Sequence, residues 1–152
     1  MNPLELRQQL IHYFNEDIGS GDKTCEALFD TNPLQGKGEF IAKQKGIFAG
    51  EKILEQAYGL WDKDIQLQLF KKDGDIVHKG DRIATVDGSY QILLTTERVI
   101  LNIMQHLSGI ATMTAKAVTA LANSTIKVVD TRKTTPGIRM LEKYAVRCGG
   151  GR

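Results

Sequence analysis

Near the C-terminal end, Ile126–Val129 is a compact β-branched run, Asp130-Thr131-Arg132-Lys133-Thr134-Thr135-Pro136-Gly137 is a polar loop, and Ile138–Val146 carries apolar residues at helical spacing. Strand, charged loop and helix together make the repeating unit of an α/β barrel. A strand of that kind buries both faces against parallel neighbours, and none follows, because the chain runs into Cys148-Gly149-Gly150-Gly151-Arg152 and stops. A complete barrel takes roughly 250 residues, and this chain has 152. We therefore expect it to be the first part of a longer protein.

Upstream, Leu4, Leu6, Leu10, Ile11 and Phe14 recur at helical spacing before the break Gly19-Ser20-Gly21-Asp22. Gly38–Gly50 reads as strand and turn, and Glu51–Leu60 as a helix that ends near Gly59 and Trp61. Ile65–Phe70 and Arg82–Val86 read as short strands, with Asp73-Gly74-Asp75 and Lys79-Gly80-Asp81 as tight turns between them. From Leu93 to Leu121 an apolar stripe without proline predicts a long helix. Thr95 or Thr96 is expected to cap its start, with Glu97 favoured in its first turn and Gly109 either dividing it or permitting close packing. The fold class expected is an α+β N-terminal sandwich lobe over residues 1–110, which takes in the first half of the long helix. The start of an incomplete α/β barrel follows over residues 111–152.

Apolar residues make up 41% and charged residues 25%, the balance of a globular domain rather than a disordered one. No run approaches the ~20 apolar residues of a bilayer span, and the N-terminus lacks the layout of a cleavable signal, so we expect no membrane partner and a cytoplasmic setting. Cys25 and Cys148 are isolated and read as reduced thiols. His12, His78 and His106 are scattered without metal-ligand spacing, and no metal site is expected within this chain. The net charge of +2 conceals an asymmetry: residues 127–152 hold seven Lys and Arg against two carboxylates. These cations are interleaved with Pro136, Gly137, Met140, Leu141 and Tyr144, a pattern suited to a small anionic ligand and not to nucleic acid.

Three constellations bear on chemistry. In Asp130–Thr134, Arg132 offers a planar fork for carboxylate or phosphate, Lys133 a point charge, and Thr131 a hydroxyl. An anion cradle and a solvated surface turn both fit that spacing. Glu97-Arg98 suits an anion at a helix start and equally a local ion pair. Gly19–Thr24 lacks the full spacing of a phosphate loop and reads as a turn.

Three strings together carry a resemblance. They are Glu97-Arg98-Val99-Ile100-Leu101-Asn102 with Leu107–Thr112, Asp130–Gly137 through Lys143–Gly151, and Glu16-Asp17-Ile18-Gly19-Ser20-Gly21-Asp22. In that order they closely resemble the quinolinate phosphoribosyltransferases. The resemblance implies transfer of phosphoribosyl from phosphoribosyl pyrophosphate to quinolinate, with decarboxylation to nicotinate mononucleotide, in NAD biosynthesis. It implies substrate binding by Arg98, Thr131, Arg132 and Lys133, with Arg98 lent across a homodimer or higher oligomer. It also implies Mg2+ arriving with phosphoribosyl pyrophosphate, its ligands lying outside this chain, and an inactive fragment when this portion stands alone. A related family associated with molybdenum uptake shares the framework. A biotinyl-like carrier, suggested by Asp75-Ile76-Val77-His78-Lys79-Gly80-Asp81, is disfavoured because its second half becomes the long helix.

Overall fold

The computed structural model describes residues 1–19, 21, 34–122 and 125–152. Helix α1 (Pro3–Ile18) starts at Asn2, whose side chain accepts the Leu4 amide at 3.0 Å, and turns its Leu6, Leu10 and Phe14 stripe inward. Strands β1 (Gln35–Ile41), β3 (Gln66–Leu69) and β5 (Arg82–Ser89) form an antiparallel sheet in the order β1-β5-β3, and β2 (Gly46–Ile47) pairs with β4 (Ile76–Val77). Helix α2 (Glu51–Trp61) joins the two sets. The expected turns at Gly74 and Gly80 are present. Both glycines have φ +92°, and Asp75 and Asp81 each fold their carboxylate back onto the amide three residues earlier.

The long helix α3 (Tyr90–Leu121) starts before the residues expected to cap it. β5 passes into it without a loop, and the Tyr90 amide is satisfied by the Leu34 carbonyl at 2.9 Å, so no side-chain cap is used. Thr96 instead lies fully buried inside the helix, its hydroxyl donating to the Ile92 carbonyl at 2.8 Å. Gly109 neither divides the helix nor lies against a neighbour, since nothing stands within 4 Å of where its Cβ would be. No helix among the described residues is long and apolar enough to cross a membrane.

The expected strand Ile126–Val129 does not form a ladder of its own. Its side chains are open, Ile126 at 53% and Val129 at 68% exposure. The beginning of a parallel pairing is nevertheless visible. Arg152 donates its amide to the Val128 carbonyl at 2.9 Å, and the Asp130 amide donates to the Arg152 carbonyl at 2.6 Å. Helix α4 (Arg139–Cys148) makes the connection between these two segments. The triple glycine follows from that route. A Cβ on Gly149 would stand 2.3 Å from the Ala111 carbonyl oxygen of α3, and Gly150 has φ +86°.

Asp73 ties the two ends of the molecule together. Its Oδ1 accepts the Gly50 and Glu51 amides at the start of α2 (2.8 and 3.1 Å), while Oδ2 accepts the buried Tyr144 hydroxyl of α4. The Asp73 amide in turn donates to Glu51 Oε2 at 3.1 Å, a reciprocal cap between segments distant in sequence. Replacing Asp73 with Ala removes a cap and a charge-assisted bond, so we expect a loss of about 2–4 kcal/mol in urea unfolding. Asp73→Asn should lose less than half as much, and equal losses in the two variants would contradict the assignment.

Candidate functional site: the Asp130–Gly137 loop

The loop preceding α4 is tied at four polar points to one face of that helix. Arg139 donates from Nε to Thr134 Oγ1 at 3.0 Å and from Nη2 to the Arg132 carbonyl at 3.2 Å. Glu142 Oε2 accepts the Thr135 amide at 3.2 Å, and Lys143 pairs with Asp130 at 2.7 Å. From the other side, Gln9 and Tyr13 of α1 donate to the Gly137 carbonyl. Positions 139, 142 and 143 recur three and four apart, so they share one face of α4.

These contacts leave a particular remainder. Arg139 is committed to the loop, Lys143 neutralises Asp130, and Arg132 and Lys133 are exposed without a side-chain partner among the described residues. Thr131 Oγ1 accepts the Lys133 amide at 3.1 Å, which leaves its hydroxyl proton free to donate. Two unpaired cations and a hydroxyl on a braced backbone are the kinds of group that recognise an anion with more than one acceptor.

Arg98 stands elsewhere, on the third turn of α3. Its Nη1 meets Asp17 Oδ1 near the end of α1 at 3.1 Å, with the arginine side chain 74% exposed. Such a pair is weak, about 0–1 kcal/mol, and yields readily to a stronger anion. The structure therefore brings Thr131, Arg132 and Lys133 together and leaves Arg98 separate from them. Of the Gly19–Thr24 turn, Gly19 closes α1 at φ +56°, while Ser20 and Asp22–Thr24 lie outside the described residues, as does Cys25. A cavity of about 620 Å³ opens between β2 and α3, bordered by Phe48, Met104, Ser108 and Thr112, and none of the four predicted substrate residues lines it.

Sequence reasoning missed the bracing residues. Arg139 and Lys143 counted only as part of a basic tail, and His106 as a scattered histidine. In the structure His106 Nε2 lies 3.1 Å from Glu142 Oε1, so both oxygens of Glu142 are engaged. Burial would raise the Glu142 carboxyl, but the hydrogen bonds from Thr135 and His106 prevail and hold it below its ordinary value. The signal available in sequence was the spacing Arg139, Glu142, Lys143 directly after the loop.

Known proteins match this arrangement along the chain. The description "Quinolinate phosphoribosyl transferase, N-terminal domain" fits residues 22–108, and its "C-terminal domain" counterpart fits residues 110–152. The chain belongs to the quinolinate phosphoribosyltransferase family. A relative from Bacillus subtilis, described as a probable carboxylating nicotinate-nucleotide pyrophosphorylase, is 53% identical over 151 residues, covering 99% of this chain and 52% of its own length. The crystal structure of NadC from Streptococcus pyogenes superposes with a TM-score of 0.92 at 44% identity, covering 99% of this chain and 54% of that one. The nicotinate-nucleotide pyrophosphorylase from Francisella tularensis gives 0.90 at 34% identity, with the same coverage of both chains. The resemblance read from the motif strings is thus borne out, and the chain spans about half the length of the curated relatives it matches.

Cys148 lies at the far end of α4, beside Tyr144 and Asp73, and is ill suited to act as a nucleophile. Burial, reinforced by the Asp73 carboxylate, pushes its thiol from 9.0 up to about 11. We expect alkylation of Cys148, followed by peptide mass spectrometry, to run at neutral pH about a hundredfold below an ordinary thiol. Its rate should still be climbing with pH beyond the usual thiol range, and rapid labelling near neutrality would contradict this.

Proposed function

We propose that this chain is the N-terminal portion of an enzyme that transfers phosphoribosyl from phosphoribosyl pyrophosphate to quinolinate, releasing pyrophosphate and carbon dioxide and yielding nicotinate mononucleotide. In this reading residues 1–110 form a sandwich lobe and residues 111–152 begin an α/β barrel, of which the helix α4 is formed here and Ile126–Val129 would be the first strand. The observation that carries the reading is the braced loop with Arg132 and Lys133 unpaired, in a chain matched by the family from residue 22 to its last residue. The free thiol of Cys148 suits a reducing, cytoplasmic setting.

Quinolinate bears two adjacent carboxylates. Arg132 receives one in its guanidinium fork, Lys133 adds a point charge, and Thr131 donates its hydroxyl, so the ring is held with its nitrogen toward the ribosyl carbon. A bond forms from the ring nitrogen to the anomeric carbon as the bond to pyrophosphate breaks, and no protein nucleophile is needed. The carboxylate next to the now quaternary nitrogen then leaves as carbon dioxide. Its electron pair stays on the ring carbon, which takes up a proton. Cations that hold the ring in place and the neighbouring positive nitrogen stabilise that carbanion. Arg98 joins from a second copy of the chain, in a homodimer or larger assembly, exchanging Asp17 for substrate.

The magnesium that would accompany phosphoribosyl pyrophosphate is assigned to ligands outside this chain, and the roles proposed for residues 1–152 are those of its cations and hydroxyls.

The test joins residues 1–152 to the remaining half of the Bacillus subtilis relative and measures nicotinate mononucleotide formation. The joined enzyme should turn over, and the 152-residue chain alone should not. Lys133→Ala should raise the KM for quinolinate about tenfold to a hundredfold, as loss of a charge-assisted bond of about 1.5–3 kcal/mol requires. Arg132→Lys should impair binding too, because a point charge cannot replace the fork. Near-normal KM in both variants would return the loop to a solvated turn.

A further inference from the structure

Glu142 is an acid set beside an anion site, which is where a carboxylate costs most if its charge reaches the ligand. Its geometry shows why it is tolerated. The side chain is only 14% exposed, and its two oxygens are turned to two different elements, Oε1 to His106 on α3 and Oε2 to the Thr135 amide of the loop. Of the three bracing residues it is the one whose hydrogen bonds among the described residues reach both the long helix and the loop, whereas those of Arg139 go to the loop and that of Lys143 to Asp130. Thr135 follows Arg132 and Lys133 by three and two residues, so fixing its amide limits the swing of the backbone that carries both cations.

We propose that Glu142 is a positioning residue for substrate binding: through His106 it anchors the Thr131–Thr135 backbone to α3, holding Arg132 and Lys133 at the spacing a dicarboxylate requires. The idea rests on the reading of this loop as the anion site. It differs from two simpler roles. Glu142 stands in the first turn of α4, where any negative charge favours the helix dipole. A carboxylate there could also serve stability alone. The dipole role depends on charge, and the positioning role depends on a hydrogen-bond acceptor aimed at Thr135. Glutamine separates them, since its amide oxygen keeps the Thr135 bond and its NH2 can donate to the neutral His106 ring.

Two measurements test this. In the 152-residue chain, amide hydrogen exchange by NMR should show Thr135 protected in the wild type. Protection should fall at least about tenfold in Glu142→Ala and hold within about threefold of wild type in Glu142→Gln, with the amides of α3 unchanged in both. In the joined enzyme, Glu142→Ala should raise the KM for quinolinate about tenfold or more with kcat little altered, Glu142→Gln should restore it, and His106→Ala should reproduce part of the rise. Unchanged Thr135 exchange in Glu142→Ala overturns the anchoring. A loosened loop with unchanged KM in an active enzyme overturns the role in binding, and equal defects in the Ala and Gln variants assign Glu142 to the helix dipole. A parent enzyme that is inactive with quinolinate defeats the proposed function instead, and the exchange result still decides the anchoring.

Discussion

The Asp73 carboxylate is the point on which the rest of the structure hangs. Two amides at the start of α2 and one hydroxyl from α4 converge on it, so a single turn residue caps one helix and docks another. A carboxylate suits this, because it accepts on both oxygens and donates on neither. Burial first, and then the hydrogen bond to Asp73 and its charge, raise the Tyr144 hydroxyl, which therefore stays protonated as the donor. With Tyr144 docked, Leu141 and Ala145 are buried with it and Gly149 presses against the backbone of α3. The opposite consequence matters for function. Arg139, Glu142 and Lys143 are left facing the loop, and the loop takes its shape from them.

Local chemistry was legible in the sequence where it was settled by neighbours in the chain. The stripe from Val99 to Leu121 announced α3, the Asp-Gly-Asp pattern announced the turn at Gly74, and the apolar spacing after Pro136 announced α4. What escaped was decided at a distance. The start of α3 is set by the Leu34 carbonyl and not by a threonine, and Ile126–Val129 fails to form a sheet because a strand's identity resides in its partners. For the site, Thr131, Arg132 and Lys133 stood out by charge and adjacency, while Glu142, His106 and Asp73 did not. Their roles are hydrogen bonds across 36 and 71 residues, and nothing in their local spacing records such a bond.

The same logic explains how two acidic residues and two committed cations can surround such a loop without spoiling it. Asp130 is paired with Lys143, and the opposite charges of Glu142 and Arg139 are both held by hydrogen bonds to the loop, so these four offset one another and the net charge left is that of Arg132 and Lys133. Two adjacent unpaired cations repel each other, and a dicarboxylate placed between them relieves that repulsion. Arg98, held by an exposed pair with Asp17, can be redirected without disturbing the fold.

The central claim is that Arg98 of one copy and Arg132 of another serve one site, and subunit mixing tests it most directly. Full-length enzyme carrying Arg98→Ala and enzyme carrying Arg132→Ala, each weak alone, are unfolded together, refolded and assayed as verified heterodimers. One site then holds both lesions and the other holds none, so activity should return to about half the wild-type value per heterodimer. Heterodimers that form, fold and stay as weak as either parent would contradict the account and leave Arg98 within its own subunit as the partner of Asp17.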